Sequence, residues 1–96
     1  MRLTVVFCLF NEEQLVFRLA ELVRRIRAVL PGHEVTFVAV DDGSTDKTAA
    51  ALASLEGIDI RTHEHNLGFG AALNSGLRAA QGDAALVYDP DEAYAV

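Results

Sequence analysis

Apolar positions along the chain follow two spacings that take turns. Leu3 to Phe10 is an apolar run with β-branched members, the pattern of a strand covered on both faces, and it reads as the central strand. From Leu15 the apolar positions Leu15, Leu19, Leu22, Val23, Ile26 and Leu30 recur at helical intervals, with Arg18, Arg24, Arg25 and Arg27 mostly elsewhere on the surface. Acids at the start of this helix and arginines near its end suit the helix dipole, and Pro31-Gly32 stops it.

Val35 to Val40 returns to strand spacing and leads into an alanine-rich helix through Thr48-Ala49-Ala50-Ala51-Leu52 that ends near Glu56-Gly57. Ile58 to Thr62 is a shorter third strand at the sheet edge, with Ile58 and Ile60 on one face. A loop over residues 63–70 is followed by a helix from about Ala71 to Ala80, with Gly82 as its C-cap, and Ala84 to Tyr88 is the fourth strand. The alternation β-α-β-α-β-α-β implies a three-layer α/β/α fold with a parallel sheet and right-handed crossovers.

Ninety-six residues with about half apolar suit one small folded domain, and no linker, repeat or low-complexity tract divides it. A formal charge of −6 argues against a surface that tracks nucleic-acid phosphates, so no nucleic-acid partner is expected. The single cysteine, Cys8, excludes an intramolecular disulfide and suits core packing in a reducing compartment. The longest apolar run, Val5 to Phe10, is far shorter than the roughly 20 residues of a membrane span, and no signal pattern precedes it, so the expected location is cytoplasmic.

Chemistry gathers where the strands end. In an open parallel sheet, ligands sit outside the carboxyl ends of the strands, so acids delivered there face a crevice. The second strand releases Asp41-Asp42-Gly43-Ser44-Thr45-Asp46, in which Gly43 eases a sharp exit and Ser44, Thr45 or Asp46 caps the next helix. Taken alone, such a stretch is an ordinary turn; its recurrence with polar residues after every strand is what points to a site. The fourth strand delivers Asp89-Pro90-Asp91, two carboxylates that offer hard oxygen ligands to Mg²⁺ or Mn²⁺.

Other patterns say less. G-x-G-x-x-G fails at Leu73, so Gly68 and Gly70 read as letting the loop pass close to a ligand, and Ala71, Ala72, Ser75 and Gly76 as packing a helix tightly on the sheet. His63 and His65 flank Glu64, a weak metal pattern without a third ligand, and no Ser/His/Asp set for acyl transfer is evident.

Four stretches in order, V-V-F-C-L-F-N-E-E, V-D-D-G-S-T-D-K-T, N-L-G-F-G-A-A-L-N-S-G-L-R-A-A-Q-G-D and Y-D-P-D, resemble the amino-terminal half of family 2 glycosyltransferases of the GT-A fold. Within that family the likeness is to the dolichyl-phosphate mannose or glucose synthase type. It implies a Rossmann-like partial fold with strand order 3-2-1-4, and residues 1–96 as a single domain for a nucleoside-diphosphate sugar, with the acceptor half absent. By position, Asp42 with Asp41 beside it would contact base or ribose, Cys8, Phe10, Glu12 and Gly68 would line the nucleotide pocket, and Asp89 and Asp91 would hold the metal on the diphosphate of a UDP- or GDP-linked sugar.

The implied reaction is inverting transfer to an acceptor hydroxyl or phosphate, a polyprenyl phosphate among them. The family usually has Pro and Tyr where this chain has Cys8 and Phe10, and some members have Gln where it has Ala93. Without the sheet's continuation, the fourth strand is an apolar edge that invites a second copy, so a homo-oligomer is expected. The competing readings are a nucleotide- or metal-binding module without turnover, and a self-associating fold fragment.

Overall fold

β1 (Arg2–Leu9) is the strand on which the sheet is assembled. In the computed structural model, which describes residues 1–88, β1 pairs in parallel with β2 (Glu34–Asp41) on one side and β4 (Ala84–Val87) on the other. β3 (Asp59–Thr62) pairs in parallel with the outer side of β2, giving the order β3-β2-β1-β4 that the sequence implies. Helices α1 (Glu13–Val29) and α2 (Thr48–Ala53) cover one face and α3 (Phe69–Ala79) the other, so the domain has three layers.

Strand parity divides the core. Val5, Phe7, Leu9, Phe37 and Ala39 point to the α1/α2 face, where they bury Val16, Leu19 and Val23 of α1 and Leu52 of α2. Phe7 and Phe37 stack there with ring centroids 6.2 Å apart. Val38 and Val40 point the other way and bury Ala72 of α3, with Cys8 and Ala79 partly buried against them. Cys8 therefore packs on the smaller core rather than within the larger one.

α3 lies close to the sheet because Gly76 has no side chain. A Cβ there would overlap Val6 Cγ1 of β1 and touch Val40 Cγ2 of β2. At the opposite end of the sheet from the strand exits, buried Thr4 receives the Gln81 N–H on its hydroxyl at 3.2 Å, and Asp83 N–H donates to Arg2 O at 2.8 Å, which starts β4 beside β1.

Several element ends differ from expectation for identifiable reasons. α2 stops at Ala53, not near Glu56, because Ser54 turns both its hydroxyl and its N–H back to Ala51 O, at 2.6 and 3.2 Å. Gly82 is not the C-cap of α3; the helix ends at Ala80 in extended conformation, and Gly82, at φ +112°, carries the chain past Arg2 O, which would lie 2.7 Å from any Cβ. Among the described residues no helix is long and apolar enough to cross a membrane. β4 lies at the sheet margin with all four residues exposed.

Two glycines of α3 make opposite predictions. Gly76→Ala gains about 1 kcal/mol of helix propensity but forces overlap with Val6, an overpacking cost of about 1–3 kcal/mol, and we expect net destabilisation. Gly70→Ala meets nothing within 4 Å and should stabilise by about 0.5–1 kcal/mol. Urea unfolding midpoints should move in opposite directions for the two variants.

Candidate functional site

The parallel register sets Leu9 opposite Asp41 and Asp41 opposite Thr62, so three strands leave the sheet on one row. The first two exits are sewn together. Asp42 N–H donates to Leu9 O at 2.8 Å, Asn11 Oδ1 accepts Thr45 N–H at 2.8 Å, and Glu12 N–H donates to Thr48 Oγ1 at 2.9 Å. Asn11 makes this connection in the left-handed region, at φ +49°, a conformation that asparagine tolerates better than most residues. The N-cap of α2 is Lys47, which makes no side-chain cap bond, and not Ser44, Thr45 or Asp46 as the sequence suggests; Asp46, one residue before it, accepts Thr48 N–H at 2.8 Å. Its bond from the Thr48 hydroxyl, opposed by partial burial, holds its carboxyl below the usual range.

The neighbouring acids Asp41 and Asp42 part company. Asp41, 1% exposed, accepts Ser44 N–H at 3.1 Å and does not line the cavity described below, although the sequence places both acids toward a crevice. Strand alternation is the reason: consecutive side chains leave opposite faces of a sheet. Asp42, 4% exposed, takes four donors. Its Oδ1 accepts from His63 Nδ1 at 2.8 Å and Leu67 N at 3.0 Å, and its Oδ2 from Gly68 N at 2.9 Å and Asn66 Nδ2 at 3.3 Å. Burial alone would raise its pKa; the hydrogen bonds from His63, Leu67 and Gly68 and the electrostatic attraction of the His63 ring outweigh burial and leave it lowered.

Gly43 permits the third exit to close over the second, since a Cβ there would run into the backbone of His65 and Asn66. The residues that follow, Gly68 at φ +96° and then α3, begin the helix at Phe69, two residues earlier than expected.

Between these exits and α3 lies a cavity of about 260 Å³. Cys8, Phe10, Glu12, Asp42 and Gly68, all named from sequence, line it together with Asn66, Phe69, Ala72 and Tyr88. Phe10 and Phe69 are 40% and 62% exposed, so two aromatic rings stand at its mouth. Asp89 and Asp91 lie outside the described residues. Sequence reasoning passed over Asn66, Phe69 and Tyr88, and it paired His63 with His65 as a weak metal pattern; His63 instead bonds Asp42 and Ser75. Among the described residues no group of three or more His, Cys, Asp or Glu side chains is arranged to hold a metal ion.

The sequence profile described as "Glycosyl transferase family 2" matches residues 4–96. The dodecaprenyl-phosphate galacturonate synthase of Rhizobium johnstonii is 36% identical over 96 residues, which are 95% of this chain and 28% of that protein. The mannosyltransferase PcManGT of Pyrobaculum calidifontis, solved in complex with GDP-Man and Mn²⁺, superposes with a TM-score of 0.76 at 26% identity, over 94% of this chain and 27% of that one. The glucosyl-3-phosphoglycerate synthase of Mycobacterium tuberculosis, solved with Mn²⁺, UDP and glucosyl-3-phosphoglycerate, superposes with a TM-score of 0.69 at 26% identity, over 93% of this chain and 33% of that one. The fold is thus that of GT-A, Rossmann-like glycosyltransferases, and the chain spans 28% of the curated relative.

Asp42→Asn should destabilise the domain by about 2 kcal/mol at neutral pH, because an amide cannot accept four donors and hydrogen bonds to a charged group are worth about 1.5–3 kcal/mol. Since the folded domain lowers this pKa, the contribution is fully present above the unfolded value of about 4. It fades as pH falls through the folded value. Urea unfolding of both proteins from pH 7 down to pH 3 should show the gap between them constant at first and narrowing only below about pH 4.

Proposed function

Because the chain belongs to glycosyl transferase family 2, we propose that the cavity beside β1 receives the nucleotide of a nucleoside-diphosphate sugar. One observation carries the reading: Cys8, Phe10, Glu12, Asp42 and Gly68, far apart in the sequence, line one cavity. The Asp42 carboxylate only accepts hydrogen bonds, so it selects an N–H or O–H donor, as a base edge or a ribose hydroxyl provides. Phe10 and Phe69 offer flat apolar faces on which a base ring can rest.

The donor set also fits a divalent ion. Among the described residues no Lys or Arg lines the cavity, so a diphosphate entering it needs positive charge from another source. Asp89 and Asp91 follow Tyr88, a lining residue, in sequence, and their carboxylates are the hard ligands that Mg²⁺ and Mn²⁺ take. A bound ion of this kind neutralises charge that develops on a departing diphosphate.

The reaction we assign is inverting transfer from a UDP- or GDP-linked sugar, in the cytoplasm, to an acceptor hydroxyl or phosphate. The likeness to a polyprenyl-phosphate sugar synthase supports a polyprenyl phosphate as acceptor. Among the described residues β4 has no neighbouring strand on one side of its backbone, with Leu86 and Val87 about half exposed, and we assign that edge to a second copy of the chain.

Calorimetric titration with UDP- and GDP-sugars, with and without Mn²⁺, tests the assignment. Binding should depend on Mn²⁺, lose that dependence in Asp91→Ala, and weaken roughly tenfold to a hundredfold in Asp42→Ala. Failure of both nucleotide classes to bind with Mn²⁺ present would sink the reading, and binding without release of nucleoside diphosphate to any acceptor would reduce it to a module without turnover. Light scattering should find a dimer or larger; a monomer at every concentration would remove the edge from the account.

A further inference from the structure

Three side chains form a directed hydrogen-bond chain that leads out of the cavity. Asp42 Oδ1 lies 2.8 Å from His63 Nδ1, and His63 Nε2 lies 2.7 Å from Ser75 Oγ on α3. A carboxylate has no proton to give, so Nδ1 carries the hydrogen; Nε2 of the neutral ring is then an acceptor, and the Ser75 hydroxyl donates to it. The imidazole is held from its backbone as well, since His63 N–H donates to Asp41 O at 2.9 Å. With the His63 and Asp42 side chains only 13% and 5% exposed, little water competes for these bonds.

Such a set superficially matches an acyl-transfer triad, but Ser75 sits inside α3, where neighbouring backbone N–H groups are used by the helix and none remains to hold an oxyanion. The far side of the chain reaches a separate surface cavity of about 440 Å³, walled by His63, Ser75, Arg61 and Arg78. The two guanidiniums there are the charged groups that share a wall with the imidazole, Arg61 already paired with Asp59 at 2.9 Å.

The two oxygens of Asp42 have different neighbours. Oδ1 is occupied by His63 and Leu67, neither of which lines the nucleotide cavity, whereas Oδ2 is occupied by Asn66 and Gly68, which both do. Oδ2 is therefore the cavity-side oxygen, and its contact with Asn66 Nδ2, at 3.3 Å, is the longest of the four. The geometry points to His63 as a positioning residue: fixed in its Nδ1–H form by the Asp42 carboxylate and steadied at Nε2 by Ser75, it anchors Oδ1 and so presents Oδ2 to a ligand N–H, which replaces the long Asn66 bond. This rests on the nucleotide reading of the cavity.

The test combines rescue with a spectroscopic signature. His63→Asn keeps a donor near Nδ1 and loses Nε2, His63→Leu loses both, and Ser75→Ala removes only the partner of Nε2. Nitrogen NMR of the wild-type imidazole should find a proton on Nδ1, Ser75→Ala should leave it there, and Asp42→Asn, whose amide can donate to Nδ1, should introduce the other tautomer. Amide exchange at Leu67 and Gly68, and affinity for UDP and GDP with Mn²⁺, should each worsen roughly tenfold or more in His63→Leu and recover most of that loss in His63→Asn. A wild-type imidazole protonated on Nε2 alone, or a His63→Leu protein that exchanges and binds as wild type does, would overturn the assignment. If wild type binds neither nucleotide, the cavity reading fails by itself, and the tautomer and amide exchange still decide what His63 holds. Should His63→Leu not fold, His63→Asn and Ser75→Ala carry the same comparison.

Discussion

Leu9, Asp41 and Thr62 stand level across three parallel strands, and the placement of the site follows from that alignment. The next residue of each strand is Phe10, Asp42 and His63, two of which line the cavity while the third holds the second in place. A parallel ladder makes this convergence possible because every strand runs out at the same edge, whereas an antiparallel neighbour would send its exit to the opposite one. Slipping β2 by one residue against β1 would exchange Asp41 for Asp42 on the cavity side. The buried faces resist such a slip, since Phe37 and Ala39 would leave the larger core along with it.

Holding a carboxylate at 4% exposure is expensive unless its lone pairs are filled. Asp42 meets the condition by drawing in donors from residues 63–68, a stretch without helix or strand. The dependence runs both ways. The loop gains a charged anchor where it has few buried apolar side chains, and the acid gains backbone N–H groups that the loop would otherwise leave to solvent. Gly43 makes the approach sterically possible, and the left-handed Gly68 turns the chain directly into α3. Loop, acid and helix start form one unit, so disturbance at any of them reaches the cavity wall.

Most of the architecture was legible because it rests on periodicity. The run through Val5, Phe7 and Leu9, the helical spacing of Leu15, Leu19 and Val23, and the strand order all survive in the structure. What escaped depended on contacts far apart in sequence. The early start of α3 reflects a bond between Gly68 and Asp42, and the role of His63 requires both Asp42 and Ser75, so nothing local marks either. Gly82 resembles a helix stop in sequence, and only the pairing of β4 with β1 reveals that it is spared a clash with Arg2. The division between Asp41 and Asp42 was within reach: strand parity alone requires adjacent residues to face opposite ways.

Charge sets the terms for any anionic ligand here. The chain carries a formal charge of −6, and among the described residues the cavity wall holds Glu12 and Asp42 with no Lys or Arg. Two phosphates brought into that field without a counter-ion would be repelled, and the low dielectric of a half-enclosed cavity would strengthen the repulsion. A divalent cation would reverse the sign of the local field, so that in the proposed reading the acids Asp89 and Asp91 would retain a metal-bound diphosphate where acids repel a bare one. On this view the acidic balance of the chain and its proposed ligand are compatible only through the ion. In the proposed reading the Asp42 carboxylate would keep a separate task, hydrogen bonding to the uncharged end of the nucleotide, where a negative acceptor meets a donor and not a phosphate.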